Sequence, residues 1–275
     1  MRACANLCEV RTPRNLGEAL ELTANTQDAW QPMAGATDLM VVLNAGKILH
    51  RRFMDIWQLD ELRGIYFESD AVTMGALTTF ADVLRHRELC FAFPLLAAAA
   101  KETGGVATQN RGTLGGNIMN ASPAADTPPA LLVYEAEVEL TSMSGSRWLP
   151  YYDFHTGYRQ TKLKPGELLT RIRVQRPGQH VYSRFRKIGP RKAQAISKVC
   201  FAAVWDREKD DIRIAYGSMA PVPLRCSKTE VSIRNGDNPA ESLARELAPI
   251  TDVRSNAAYR LRVAQNLLTD FLHDA

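Results

Sequence analysis

No run in this 275-residue chain approaches the ~18 uninterrupted apolar residues that would read as a membrane-spanning helix. The opening Met1-Arg2-Ala3-Cys4-Ala5-Asn6 lacks the apolar centre of a signal peptide, so a cytoplasmic protein is expected. Cysteine is sparse. The five thiols (Cys4, Cys8, Cys90, Cys200 and Cys226) are scattered and odd in number, which suits reduced thiols better than a disulfide framework. Cys4 and Cys8 have three residues between them, and no second Cys or His pair completes a zinc or iron–sulfur site, so no metal is expected. No basic block occurs either. The 34 Lys and Arg against 30 Asp and Glu leave a net charge of +4, with no nucleic-acid recognition motif.

Catalytic signatures are equally scarce. The histidines are His50, His86, His155, His180 and His273. None belongs to a nucleophile motif, no G-x-S-x-G occurs, and His155 reads as a structural histidine. Neither a Rossmann G-x-G-x-x-G nor a P-loop is present, so a nucleotide site here must be of another kind. No acid–base residue is assigned. That shortage favours a cofactor-carrying protein over a hydrolase.

What is present is a soluble composition, 45% hydrophobic and 23% charged, long enough for one large or two modest domains. Helical spacing over 16–29 follows a turn at Pro13-Arg14-Asn15. A second helix over 39–43 stops near Gly46, and residues 32–37 between them read as a strand end and a tight glycine turn. Residues 72–77 read as a strand; Thr79 caps a helix carrying Phe80, Val83 and Leu84, and 93–102 is a further helix. The stretch 104–117 holds five glycines and reads as loop. Strands are expected around 137–140 and 168–174. Pro177-Gly178 marks a boundary, beyond which come strands at 199–205 and 212–217 and a last helix over 255–271, with Tyr259, Val263 and Leu267 four apart.

Two glycine-bearing segments carry the chemistry: Pro32-Met33-Ala34-Gly35-Ala36-Thr37-Asp38-Leu39 and Thr113-Leu114-Gly115-Gly116-Asn117. Glycine lets a ligand approach the backbone, and successive N–H groups form an anion-binding nest. Thr37 and Asp38 stand where a helix begins, so its first N–H groups can face a phosphate. Taken alone, either segment reads first as an ordinary turn; it is the pair of similar chemistry that points to a ligand. Asp126, stiffened by Pro123, Pro128 and Pro129, reads either as an acceptor for ligand hydroxyls or as the N-cap of a helix through Ala130-Leu131-Leu132.

Asn110-Arg111-Gly112-Thr113-Leu114-Gly115-Gly116-Asn117, running on through Ala121-Ser122-Pro123-Ala124-Ala125-Asp126, resembles the FAD-binding medium subunits of the xanthine dehydrogenase and carbon monoxide dehydrogenase family. Ala34-Gly35-Ala36-Thr37-Asp38-Leu39, Gly75-Ala76-Leu77-Thr78-Thr79, Phe185-Arg186-Lys187-Ile188-Gly189 and Pro221-Val222-Pro223-Leu224-Arg225-Cys226 match in the same order. The last of these, with His155-Thr156-Gly157, is closer to the bacterial xanthine dehydrogenase branch.

The resemblance implies an α+β protein with an FAD-binding domain of the vanillyl-alcohol-oxidase type. Two α/β subdomains (about 1–57 and 58–176) would be followed by a smaller C-terminal α+β domain (177–275). It implies that Pro32, Met33, Ala34, Gly35, Ala36, Thr37, Asp38 and Leu39 wrap the pyrophosphate. Thr113, Gly116 and Asn117 would bind pyrophosphate and ribityl oxygens, and Asp126 cofactor hydroxyls. Thr103 would sit beside the cofactor, Leu168 line its pocket and Lys187 reach its polar edge. Ala36 departs from the second glycine of many relatives and resists a positive φ.

The implied role is electron relay. A molybdenum-cofactor large subunit would oxidise the substrate, with purines expected, and an iron–sulfur small subunit would pass electrons to FAD here, with NAD a candidate acceptor. Alternatives are the medium subunit of a carbon monoxide or N-heterocycle dehydrogenase, a stand-alone flavin oxidoreductase, and a nucleotide-binding module that has lost FAD.

Overall fold

A computed structural model describes residues 8–25, 30–48, 50–178, 181–192 and 194–275. The first unit contains β1 (Glu9–Arg11), α1 (Leu16–Ala24), β2 (Gln31–Met33), α2 (Leu39–Asn44) and β3 (Arg52–Asp55). Its strands form a parallel sheet in the order β1-β3-β2. Parallel neighbours need crossover connections, and α1 and α2 provide them. Asn15 caps α1 by accepting the Glu18 N–H at 2.9 Å. The expected helix over 16–29 is seen as far as Ala24; residues 26–29 lie outside the described residues, as do residues 1–6 with Cys4, and His180. Helix α2 ends as expected, with Gly46 at a φ of 67°.

The second unit opens with β4 (Ile65–Phe67) and β5 (Ala71–Gly75), then a helical run. That run comprises α3 (Phe80–Arg85), α4 (Arg87–Ala92), α5 (Pro94–Glu102), α6 (Val106–Gln109), α7 (Leu114–Met119) and α8 (Thr127–Val133). Next come β6 (Glu137–Ser142), β7 (Gly145–Pro150), the hairpin of β8 (His155–Gly157) and β9 (Gln160–Thr161), and β10 (Leu168–Gln175). A five-stranded antiparallel sheet, β4-β5-β10-β6-β7, turns Val72, Met74, Val138, Leu140, Ile172 and Val174 toward the helices. Thr79 caps α3 as the sequence suggests, and Asp82 completes a capping box with it.

The stretch 104–117 is not a plain loop: it holds α6 and α7. Of its five glycines only Gly104 takes a positive φ, at 61°. Gly115 instead serves close approach, since a Cβ there would lie 2.7 Å from the Ala76 carbonyl oxygen. A tertiary contact thus places glycine inside a helix, against its usual preference.

The third unit contains β11 (Val181–Ile188), β12 (Val199–Asp206), β13 (Asp211–Gly217), β14 (Leu224–Arg225), α9 (Ser227–Asn235), α10 (Pro239–Glu246) and α11 (Ala257–Asp274). The strands form one antiparallel sheet in chain order. Strand β11 is an addition to the two expected. Apart from the exposed Arg186 its residues are half-buried on both faces, so no clean alternation announces it. On α11 the buried stripe is Arg260, Ala264, Leu268 and Phe271, one residue beyond the Tyr259-Val263-Leu267 spacing. Arg260 tolerates burial because Lys198 O accepts from Nη1 at 2.8 Å and Asp252 Oδ1 from Nη2 at 2.7 Å.

Helix α8 is buried on every side, and Ala202, Val204 and Ala215 of the third unit join its core. Asp126, immediately before α8, therefore stands where the second and third units meet. The same core contains Tyr134, whose Oη accepts the Leu95 N–H at 3.1 Å in the first turn of α5, where helix donors lack internal partners. Y134F orphans that donor, so urea denaturation should show a loss of about 1–3 kcal/mol with the circular dichroism spectrum unchanged. Undiminished stability would contradict this account of the α5 terminus.

Candidate functional site

Strand β2 ends at Met33, and the chain then makes a loop whose first helical bond is Met40 N–H to Ala36 O, at 2.9 Å. Among the described residues, the N–H groups of Gly35, Ala36, Thr37, Asp38 and Leu39 donate to no protein acceptor. Ala36 adopts a φ of 60°, in the left-handed region. For alanine that costs about 1–2 kcal/mol. A left-handed residue within a run of free N–H groups can gather them into an anion-binding concavity. The departure noted in the sequence is thus a strained alanine holding the glycine conformation. Thr37 is half-buried and Asp38 exposed, and the Asp38 side chain makes no capping bond, so the start of α2 is left open.

The second segment is arranged differently. Leu114 N–H donates to Thr78 O and Gly115 N–H to Ala76 O, both at 2.9 Å, and Gly116 N–H donates to Thr113 Oγ1 at 3.0 Å. The first amides of α7 are consumed within the protein, so this segment is no backbone nest. What it presents is the exposed backbone of Gly116 and the side chain of Asn117. Asn117 Oδ1 accepts from Thr127 Oγ1 at 2.6 Å, which leaves its amide nitrogen to donate.

The first segment touches the chain just before the second. A Cβ on Gly35 would lie 1.6 Å from the Arg111 carbonyl oxygen, so only glycine fits there. Behind them, Ala34 packs against a core containing Leu168, Leu77, Leu62 and Met54. Leu168, 5% exposed, therefore lies in the layer backing the first segment. Pro32 and Met33 belong to β2 itself.

Asp126 and Lys187 form the polar end of the site. Lys187 Nζ donates to Asp126 Oδ2 at 2.7 Å and to Glu102 O at 2.9 Å, joining β11 to the start of α8 and the end of α5. Thr103 follows Glu102, and its Oγ1 bonds back to Ala99 O at 2.8 Å. Asp126 Oδ1 is buried and has no partner. Asp126 precedes α8 at its N-cap position but makes no side-chain cap bond, so of the two sequence readings the capping one lacks its hydrogen bond. Burial pushes its carboxyl up to about 6 from an ordinary 3.8, and the Lys187 ammonium partly offsets this.

Two other groups bear on the site. Thr78 Oγ1 is also buried without a partner, and the Gly75-Ala76-Leu77-Thr78-Thr79 segment is the sequence signal for it. His155 is neutral, held down to about 4 by burial, with a backbone hydrogen bond to Ile118 but Nε2 unpartnered. It supports the back of α7, as its structural reading implies. Cys8, Cys90, Cys200 and Cys226 are free thiols, and no metal-ligating cluster occurs among the described residues. No helix of the described residues is long and apolar enough to cross a membrane.

With a folded pKa above the unfolded one, Asp126 favours folding while protonated. That contribution is complete below pH 3.8 and is lost as the pH rises through about 6. Carbon-13 NMR of the Asp126 carboxyl should show a midpoint near pH 6, moving higher in K187M; a midpoint at the ordinary aspartate value would refute the buried geometry.

The chain is similar to known proteins along nearly its whole length. A family model for the FAD binding domain in molybdopterin dehydrogenase matches residues 6–177, and one for the CO dehydrogenase flavoprotein C-terminal domain matches residues 184–275. A xanthine dehydrogenase FAD-binding subunit from Escherichia coli is 31% identical, covering 94% of this chain and 93% of that protein. A glyceraldehyde dehydrogenase medium chain from Sulfolobus acidocaldarius is 32% identical over 92% of each. Among solved structures, carbon monoxide dehydrogenase from Hydrogenophaga pseudoflava superposes with a TM-score of 0.90 at 26% identity, covering 97% of this chain and 96% of that one.

Proposed function

The chain belongs to the FAD-binding medium subunits of the molybdenum hydroxylase family, and we propose that it relays electrons from an iron–sulfur small subunit to an acceptor such as NAD. Its cofactor is FAD.

The residues fit that cofactor. The open amides of Gly35, Ala36, Thr37, Asp38 and Leu39 suit a pyrophosphate, which has many acceptor oxygens and no donor. Pro32 and Met33 would hold the base of that loop. Thr113 shapes the turn that presents Gly116 and Asn117, and Asn117 would donate to ribityl or phosphate oxygens. The orphaned Asp126 Oδ1 carries the reading furthest: a buried carboxylate oxygen without a donor needs one, and cofactor hydroxyls would supply it. Lys187 would fix that carboxylate and, with Thr103, border the cofactor's polar edge. Leu168 would back the pocket from beneath Ala34.

FAD, when bound, accepts electrons singly and delivers them in pairs. The protein's part is to orient it, exclude water from its polar attachments and set the charge around it. No side chain is assigned an acid–base step. Substrate oxidation is assigned to a molybdenum-cofactor large subunit, so this chain alone would be inactive on the organic substrate. Purines are the proposed substrate class, supported by the xanthine dehydrogenase relative. We place the protein in the cytoplasm, in keeping with its free thiols, and divide it into 1–176 for FAD and a C-terminal domain over 177–275.

Purified chain should show the absorbance of bound flavin or regain it on reconstitution with FAD, and isolation from its host should recover iron–sulfur and molybdenum subunits. D126A should weaken FAD at least ~10-fold in a flavin-fluorescence titration, the loss of one charge-assisted hydrogen bond. A colourless chain that cannot be reconstituted would defeat the FAD assignment, and recovery of the chain alone would defeat the relay.

A further inference from the structure

We infer that Arg111 is a positioning residue that acts through Trp57 to set the spacing of the two cofactor-binding segments. This rests on the FAD reading above but concerns residues outside the proposed contacts. The Arg111 guanidinium carbon lies 3.7 Å from the centroid of the Trp57 ring, at stacking distance. Arg63 also lies against Trp57, its guanidinium carbon 4.7 Å from the ring centroid, and its Nη2 donates to Trp57 O. Among the described residues, Arg111 makes no ion pair or side-chain hydrogen bond, so the stack is its attachment.

The two partners belong to different units, each fixed to one cofactor segment. Trp57 follows β3. Its N–H donates to Asp55 Oδ1 at 3.0 Å, and the preceding Ile56 N–H donates to Met33 O at 3.1 Å, at the foot of the first segment. Arg111 lies two residues before the second segment, and this stretch is tied into the second unit by Phe80 N–H to Gly112 O at 3.1 Å and Leu114 N–H to Thr78 O at 2.9 Å. The same residue therefore makes both contacts across the seam. Its carbonyl seats Gly35, and its side chain grips the turn beneath the first segment. The carbonyl contact limits how closely the segments approach, and the stack keeps them from parting. A pyrophosphate held between them needs both limits, because amides and Asn117 reach it only at hydrogen-bond distance.

A double-mutant cycle on FAD affinity tests this, with thermal melting of the apo chain as the check on folding. R111M and W57L should each weaken FAD by ~10-fold, and the double variant should bind no more weakly than the worse single one. R111K and W57F, which keep a cation and an aromatic face, should stay within ~3-fold of wild type. Unchanged affinity in R111M, additive losses in the double variant, or losses in R111K and W57F equal to those in R111M and W57L would each overturn the inference. Additivity would mean that Arg111 acts independently of Trp57. Should R111M or W57L fail to fold, the conservative variants decide it: R111K and W57F within ~3-fold of wild type support the inference, and larger losses in both overturn it. A wild-type chain that binds no FAD would remove the reading on which the inference stands; normal wild-type binding with an unperturbed R111M would remove only the positioning role of Arg111.

Discussion

The site depends on one close approach: Gly35 against the carbonyl of Arg111. It joins a parallel three-stranded unit to a helical run carried on an antiparallel sheet, two pieces that otherwise share a modest core around Leu20, Met54, Leu62 and Leu77. Any side chain on Gly35 would wedge the units apart. Ala36, the next residue, accepts a left-handed conformation at a cost of about 1–2 kcal/mol so that the loop can turn away from this contact with its amides outward. Strain of this kind persists where surrounding structure over-determines the backbone, and such places are commonly ligand clamps.

The second constraint is the ion pair between Asp126 and Lys187. Burying both groups costs solvation that their mutual attraction does not readily recover. Lys187 spends a further donor on Glu102 O, whereas Asp126 keeps one oxygen unanswered. The pair locks the third unit onto the second and leaves one acceptor for something the protein itself does not supply. The two halves of the site thus complement each other chemically: open donors on the first segment, an open acceptor at Asp126.

Much of this was legible in the sequence, for identifiable reasons. Local rules located α2, the Thr79 cap and the alternating strand β10, because caps and two-residue periodicity are written in neighbouring residues. The order of motifs led to the family. What local rules missed was decided by distant partners. Helix α7 runs through two glycines because Gly115 packs on Ala76. Strand β11 lacks alternation because both its faces are half covered, although it carries Lys187. The stripe on α11 is displaced by one residue because the buried Arg260 finds acceptors on Lys198 and Asp252. Likewise Trp57 and Arg111 look unremarkable until the fold brings residues 54 positions apart into a stack.

The central claim is that FAD lies in the seam between these units, held from both sides at once. Hydrogen–deuterium exchange of the apo chain and of the chain saturated with FAD tests it most directly. The account predicts joint slowing of exchange in the backbone amides around 35–39, 116–117 and 126–127, at the same FAD concentration. Protection confined to one segment, or centred elsewhere on the third unit, would contradict it.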